Sequence, residues 1–263
     1  MNEDNQSNLE GNYNSPEGSE PQYQEESLSI SEAMSGVISA PGETFETISV
    51  TEKKNYWLMP ILIAVLLGLI TSFLFMQDKE LTSKTMEKQK EKMMEQFEQN
   101  IKDGKMTQEQ AENAMETMNP EGTMFKVIGY GFAAIGPFLI LLILSVIYFV
   151  ILKIMKSEAH ITEVMNVVGL SYIIIAIGNL IATVVSIVMG ELSSLSLAML
   201  FTEESVGTKV FTMISKVDIF SIWFYTVVAI GITKIGRISM AKSVLFVFGI
   251  WIVFYVVIIS LFF

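Results

Sequence analysis

The residues best suited to chemistry are few and lie far apart in the chain. His160, the only histidine, stands between Glu158 and Glu163 in the stretch KSEAHITE, and imidazole and carboxylate groups are ligands for divalent metals. One imidazole and two carboxylates in a solvent-facing loop are a poor set for a closed site, so we predict no metal here. Because the chain has no Cys, it has no thiolate nucleophile, no thiolate metal site and no disulfide.

Asp218 is the second candidate, since it directly precedes an uncharged run in the stretch DIFSIWFY. Ionisable groups inside a bilayer mark proton relays and ion paths. Asp218 instead stands where an N-cap belongs, three residues before Ser221, and there a carboxylate accepts hydrogen bonds from free backbone amides. Trp223 in this stretch and Trp57 near the first apolar segment are predicted to lie at the membrane interface.

The rest of the chain contains no order of Ser, His and Asp residues, no phosphate-binding loop and no pair of buried carboxylates that indicates catalysis. We therefore predict a protein that is not an enzyme, with no catalytic residue and no cofactor.

Membrane helices are the elements predicted to position these residues. The chain has 263 residues, of which 51% are hydrophobic and 17% charged, and its mean hydropathy is +0.48, outside the balance of a soluble domain. Five stretches reach the length that a helix needs to cross about 30 Å of hydrocarbon. They cover about residues 56–76, 125–153, 163–190, 218–236 and 243–263.

No ionisable residue lies in the middle of any of these five stretches, which argues against a pump or proton-coupled carrier. The predicted fold class is all-α, a polytopic bundle of five transmembrane helices.

Three segments outside these spans differ in composition. Residues 1–27 are polar and acidic, which predicts a disordered tail. Residues 28–55 carry apolar side chains at helical spacing, which predicts amphipathic helices on the membrane surface, with partner recruitment as the alternative. Residues 77–123 predict a helical hairpin outside the bilayer that breaks near Gly104 and restarts at Thr107 in a capping box. We expect its two arms to pack on each other, with partner binding as the alternative.

Small residues recur along two of the predicted spans, which allows another helix to approach closely. They are Gly129, Ala133 and Pro137 in the second span, and Gly178, Ala182 and Ser186 in the third. Pro137 is also predicted to kink its helix, and a ligand groove at this kink is the alternative. Asn179 and Thr183, one turn apart, predict an interhelical hydrogen bond, with a polar binding site as the alternative.

Several stretches resemble the bacterial branch of the Yip family, the Ypt-interacting proteins. They are SAPGETFETI followed by WLMPILIAVLLG, VVGLSY with Gly169 and Tyr172, and DIFSIWFYTVVAIGITKIGRISMAKS. GKMTQEQAENAMETM is similar to the helical insert of many bacterial members. The resemblance covers about residues 30–263 and implies five spans with a cytoplasmic N-terminus. Eukaryotic members are linked to Rab GTPases and vesicle traffic, but their Asp-Leu-Tyr-Gly-Pro type element is absent here.

We accordingly predict a non-enzymatic multi-pass membrane protein that acts by protein–protein or membrane-organising interactions. The alternative is a transporter or channel subunit for a small neutral or apolar solute.

The expected partners are the lipid bilayer and other membrane or cytoplasmic proteins, a second copy of the chain among them. Nucleic acid is excluded by the net charge of −11. Basic residues near the span ends predict a cytoplasmic N-terminus and an outside C-terminus. The resemblance to the bacterial branch implies the bacterial cytoplasmic membrane.

Overall fold

The computed structural model describes residues 27–51, 53–117, 119–192 and 195–262. The predicted disordered tail falls almost entirely outside these residues. Within them the regular elements are helices, and the only β-type pairing is an isolated bridge between Ser196 and Asp218. The predicted all-α class is therefore confirmed.

Eleven α-helices and one short 3₁₀ helix are found in the described residues. In chain order they are α1 Ile30–Ser39, α2 Pro41–Val50, α3 Leu58–Gln77, α4 Lys79–Lys102, α5 Gln108–Thr117, α6 Thr123–Ile154, α7 Ile161–Met189, the 3₁₀ helix Leu197–Leu200, α8 Glu203–Val206, α9 Thr208–Ile214, α10 Ile219–Gly236 and α11 Met240–Phe262.

Four of these helices, α3, α6, α7 and α10, are long and apolar enough to cross a membrane. α6 has 32 residues and α7 has 29, whereas about 20 suffice for a crossing. α11 is apolar as well, but the part of it with described side chains, residues 240–254, is shorter than a full span. A multi-pass membrane protein follows from these four helices, and the fifth crossing stays a prediction.

α7 lies at the centre of the bundle and packs against α1, α3, α6 and α10. Its first half, from Val164 to Ala176, is buried at almost every position. Gly169 permits a close approach to the backbone of Trp57, because a Cβ added there would lie 2.6 Å from the Cβ and 2.8 Å from the Cα of that residue. Gly231 on α10 similarly faces Val167, whose Cγ1 would lie 2.5 Å from an added Cβ.

α1 begins with a capping box. The Ser29 amide donates to a Glu32 carboxylate oxygen at 2.8 Å, and the Glu32 amide donates to the Ser29 hydroxyl at 3.2 Å. Hydrogen bonds from the hydroxyl and the amide of Ser29 stabilise the Glu32 carboxylate and hold the pKa of Glu32 below its usual value. The sequence pattern Ser-Ile-Ser-Glu thus determines where this helix starts.

The apolar faces of α1 and α2 turn toward the protein. Ala33, Val37, Phe45 and Ile48 are buried in the same core as α7 and α10, and α2 packs along α10. Ile38 and Val50 remain exposed. These helices are therefore part of the folded bundle, and contact with lipid stays a prediction for their exposed side chains.

The predicted insert contains two helices, α4 and α5, separated by a turn in which Gly104 has φ +70°. Thr107 and Gln110 exchange hydrogen bonds of 2.9 and 3.2 Å at the start of α5. Packing of the two arms against each other stays a prediction. Between α7 and α10 the structure adds α8, α9 and the 3₁₀ helix, which are too short to leave a clear periodic signal in the sequence.

Candidate functional site: two adjoining cavities in the helix bundle

An apolar cavity, which we name the Pro137 cavity, lies between α3, α6 and α7 and has a volume of about 520 Å³. Small residues create this space, because a Cβ added at Gly136 would meet no atom within 4 Å. Among its lining residues are Gly129, Ala133, Gly136 and Pro137 from α6 and Ala182 and Ser186 from α7. Asn179 and Thr183 line it too.

A second cavity, the Asp218 cavity, lies between α7 and the start of α10 and has a volume of about 310 Å³. Gly178, Asp218, Phe220 and Ser221 are among its lining residues. Ile140, Tyr172, Asn179 and Ala182 line both cavities. The two cavities therefore adjoin along α7.

The small residues serve both close packing and the cavity walls. A Cβ added at Gly178 would lie 2.5 Å from the ring of Phe220, so this glycine brings α7 and α10 together. Gly129 faces the end of the Met76 side chain, which a Cβ would approach to 2.3 Å. Pro137, Ala182 and Ser186 instead lie where the neighbouring helices stand apart and form cavity walls.

Asp218 is the N-cap of α10. Its Oδ1 accepts hydrogen bonds from the amides of Phe220 and Ser221, both at 2.9 Å, and its Oδ2 accepts one from the Ser221 hydroxyl. Both carboxylate oxygens thus accept hydrogen bonds from the first turn of α10. The geometry suits a charged cap at the positive end of a helix.

The two tryptophans differ in their surroundings. Trp223 on α10 has an exposed fraction of 37%. Trp57 is partly buried against the core, and its backbone amide donates to Asn166 Oδ1 at 3.2 Å. Trp57 thus helps to join the start of α3 to α7, while the interfacial position of both side chains stays a prediction.

Asn166 is a buried polar residue that the sequence analysis missed. Its Nδ2 donates to the Lys54 carbonyl at 2.8 Å, while its Oδ1 accepts from Trp57. The sequence does show Asn166 as a polar residue just inside an apolar span. It does not show the hydrogen-bond partners of Asn166, which lie more than 100 positions earlier in the chain. Only the packed bundle shows that Asn166 positions the segment before α3.

His160 directly precedes α7, and its amide donates to Glu163 Oε2 at 2.6 Å. Across the described part of the chain, no group of three or more His, Asp or Glu side chains is arranged to hold a metal ion. Glu163 therefore serves the start of the helix in this structure.

A family profile described as the Yip1 domain matches residues 35–261 of the chain. The match begins within α1 and includes α4 and α5, all four candidate spans and nearly all of α11. No match was found among curated proteins or among solved structures.

Proposed function

Because the chain belongs to the Yip1 family, we propose that this multi-pass membrane protein acts by binding other proteins or by organising the membrane around it. The proposal includes its placement in the bacterial branch, with five crossings in the cytoplasmic membrane. The N-terminus then lies inside and the C-terminus outside.

One observation carries the non-catalytic part of this proposal. Among the described residues, Asp218 is the only Asp, Glu, Lys, Arg or His that lines either cavity, and its carboxylate accepts three hydrogen bonds as the cap of α10. General acid–base and nucleophilic catalysis both need a group that is free to exchange a proton or attack a substrate. The cavities offer apolar and small side chains instead.

α6 provides the surface for interaction. One face of the helix is buried and contains Pro137, Leu141, Ser145, Tyr148 and Leu152. The opposite side exposes large apolar side chains along much of its length, as at Phe132, which has an exposed fraction of 71%. In a membrane this surface contacts lipid or the helix of another protein.

Site-specific photo-crosslinking in living cells tests this function. A photoreactive phenylalanine analogue at Phe132 is expected to form discrete adducts of reproducible mass with another protein or with a second copy of the chain. The same analogue at buried Leu141 is the matched control on the same helix and should give no intermolecular adduct. Lipid adducts alone at Phe132, and equally at Ile135, would contradict a protein-binding role.

A second candidate function is passage of a small neutral or apolar solute through the adjoining cavities. Gly136→Leu adds a side chain at the Pro137 cavity, and its Cβ would meet no atom within 4 Å. Gly131→Leu also meets open space at its Cβ but does not line the cavity, so it is the matched control. If a solute crosses here, flux into reconstituted vesicles should fall with Gly136→Leu and persist with Gly131→Leu. Absence of flux for the unaltered protein over a broad solute panel would eliminate this candidate.

A further inference from the structure

A third depression, which we name the polar groove, lies where α6 ends, α7 begins and α10 ends. Its volume is about 490 Å³. Its charged and titratable lining residues are Lys53, Lys156, Arg237, His160, Glu158 and Glu163, and Ser49 and Ser157 line it too. Three of the four candidate spans terminate here, so the groove lies at one boundary of the apolar region.

Three cations of the groove have no acidic partner in the described residues. No ion pair joins Lys53, Lys156 or Arg237 to a carboxylate there, whereas neighbouring Lys234 pairs with Glu46. Of the two carboxylates in the lining, Glu163 accepts the His160 amide. Both carboxylates keep their negative charge, so the lining holds three positive and two negative side chains and a surplus of one positive charge.

The backbone at two of these cations is unusual. Lys156 has φ +61° and Arg237 has φ +51°, and among the described residues they are the only non-glycine residues with positive φ. This left-handed conformation follows a helix C-terminus and favours Gly or Asn, because other side chains crowd the backbone. The negative end of the helix dipole attracts a cation, which explains why a basic residue lies near a helix C-terminus. The dipole does not explain why the basic residue occupies the left-handed position, where glycine fits best.

We propose that the polar groove binds the phosphate of an anionic phospholipid headgroup, held by Lys156, Arg237 and Lys53. Basic pockets at the ends of membrane helices supply charge-assisted hydrogen bonds to phosphate oxygens. The apolar surface beside the groove suits the acyl chains, since Ile154 at the end of α6 is 74% exposed. The position at the end of the spans therefore points to a lipid as the source of the phosphate.

Lipid binding to the purified full-length protein in neutral detergent tests the proposal. Phosphatidylglycerol and phosphatidylcholine are titrated separately, and the bound lipid is measured by native mass spectrometry. We expect phosphatidylglycerol to bind more tightly than phosphatidylcholine. Lys156→Gly and Arg237→Gly each remove a cation and also suit the left-handed backbone, so both variants should fold. Each should weaken phosphatidylglycerol binding about fivefold, and the double variant about 25-fold.

Two further variants separate this site from general surface charge. Lys153→Gln removes an exposed cation on the same helix end that does not line the groove, and it should leave the affinity for phosphatidylglycerol unchanged. Glu158→Gln removes the opposing carboxylate and should strengthen binding. Equal affinity of the double glycine variant and the unaltered protein, with thermal unfolding showing both folded, would overturn the proposal.

Competition distinguishes a lipid from a soluble phosphate. Inorganic phosphate and glycerol 3-phosphate should displace bound phosphatidylglycerol only at concentrations far above that of the lipid. Binding of either compound as tightly as the lipid would overturn the assignment to a headgroup. No partner protein or solute flux enters the measurement, so its result is independent of the function proposed above.

Discussion

Several polar side chains at or within the apolar helices form hydrogen bonds with backbone groups. Asn166 joins two backbone groups of the segment before α3, Ser171 Oγ donates to the Val167 carbonyl at 2.7 Å, and Asp218 caps α10. Hydrocarbon offers no hydrogen-bond partners, so a polar group there must find one in the protein. These hydrogen bonds therefore stabilise the fold.

Asp218→Ala should lower the free energy of unfolding by about 1 kcal/mol, because the amides of Phe220 and Ser221 lose their acceptor. Asp218→Asn retains an acceptor oxygen and should change stability by only a few tenths of a kcal/mol. Thermal unfolding in detergent measures both. An Asn variant as unstable as the Ala variant would mean that the negative charge, and not the cap geometry, stabilises this helix end.

Gly169→Ala should destabilise the protein by about 1–3 kcal/mol, because the new methyl group would overlap the backbone of Trp57 and neither helix can yield by a side-chain rotation alone. Gly131→Ala on α6 is the control, since its Cβ meets nothing within 4 Å. That variant should be neutral or more stable by up to about 1 kcal/mol. Equal stability of the two variants would show that α3 does not approach α7 as closely as described.

At the level of elements, α1 and α2 are held by the segment that follows them as well as by their own apolar faces. The Tyr56 hydroxyl donates to the Leu28 carbonyl at 2.8 Å, and Asn166 fixes the backbone on either side of Tyr56. Phe45 of α2 reaches Gly231 on α10, where an added Cβ would lie 3.0 Å from its ring. α1, α2 and the start of α3 thus dock onto the bundle as one unit.

Asn166→Ala should loosen this unit, because the Lys54 carbonyl and the Trp57 amide lose a buried partner, at a cost of about 1–3 kcal/mol. Limited trypsin digestion should then cleave faster after Lys53 and Lys54, while the rest of the chain keeps its cleavage pattern. Asn179→Ala, on the same helix but exposed in the cavities, is the matched control. Unchanged cleavage after Lys53 and Lys54 in the Asn166 variant would contradict this docking.

On the scale of the whole molecule, α7 forms the axis and the other spans surround it. The helices stand close at Gly169 and Gly178 and apart near Gly136, and this difference produces the cavities. Membrane helices gain little from burying apolar surface against each other, so close contact depends on shape and on small residues. The same residue types therefore appear both in tight contacts and in cavity walls.

The number of crossings is tested by single cysteines, which the chain allows because it contains none. Lys105→Cys and a cysteine appended after Phe263 should react with a membrane-impermeant maleimide in intact cells. Ser239→Cys, between α10 and α11, should react only after permeabilisation. If the appended cysteine behaved like Ser239→Cys while Lys105→Cys behaved as expected, α11 would not cross the membrane. Reversal at all three sites would invert the orientation.

The sequence alone determined the class of protein, the helix periods and several helix ends. Long uncharged stretches predict spanning helices because an unpaired backbone is too costly in hydrocarbon. Local caps such as Thr107 and Asp218 are readable because the side chain and its amide partners lie within three residues of each other. The resemblance at VVGLSY and DIFSIWFY led to the same family as the match over residues 35–261.

Tertiary structure alone decided which way each apolar face turns and which small residues pack closely. Phe45 and Ile48 have the spacing of a surface helix, yet they lie in the core because α10 offers Gly231 beside them. Asn166 finds partners more than 100 residues away, and Lys156 and Arg237 meet in one groove from different helix ends. Periodicity records only that a helix has two unlike faces, and what covers each face depends on contacts between residues far apart in the chain.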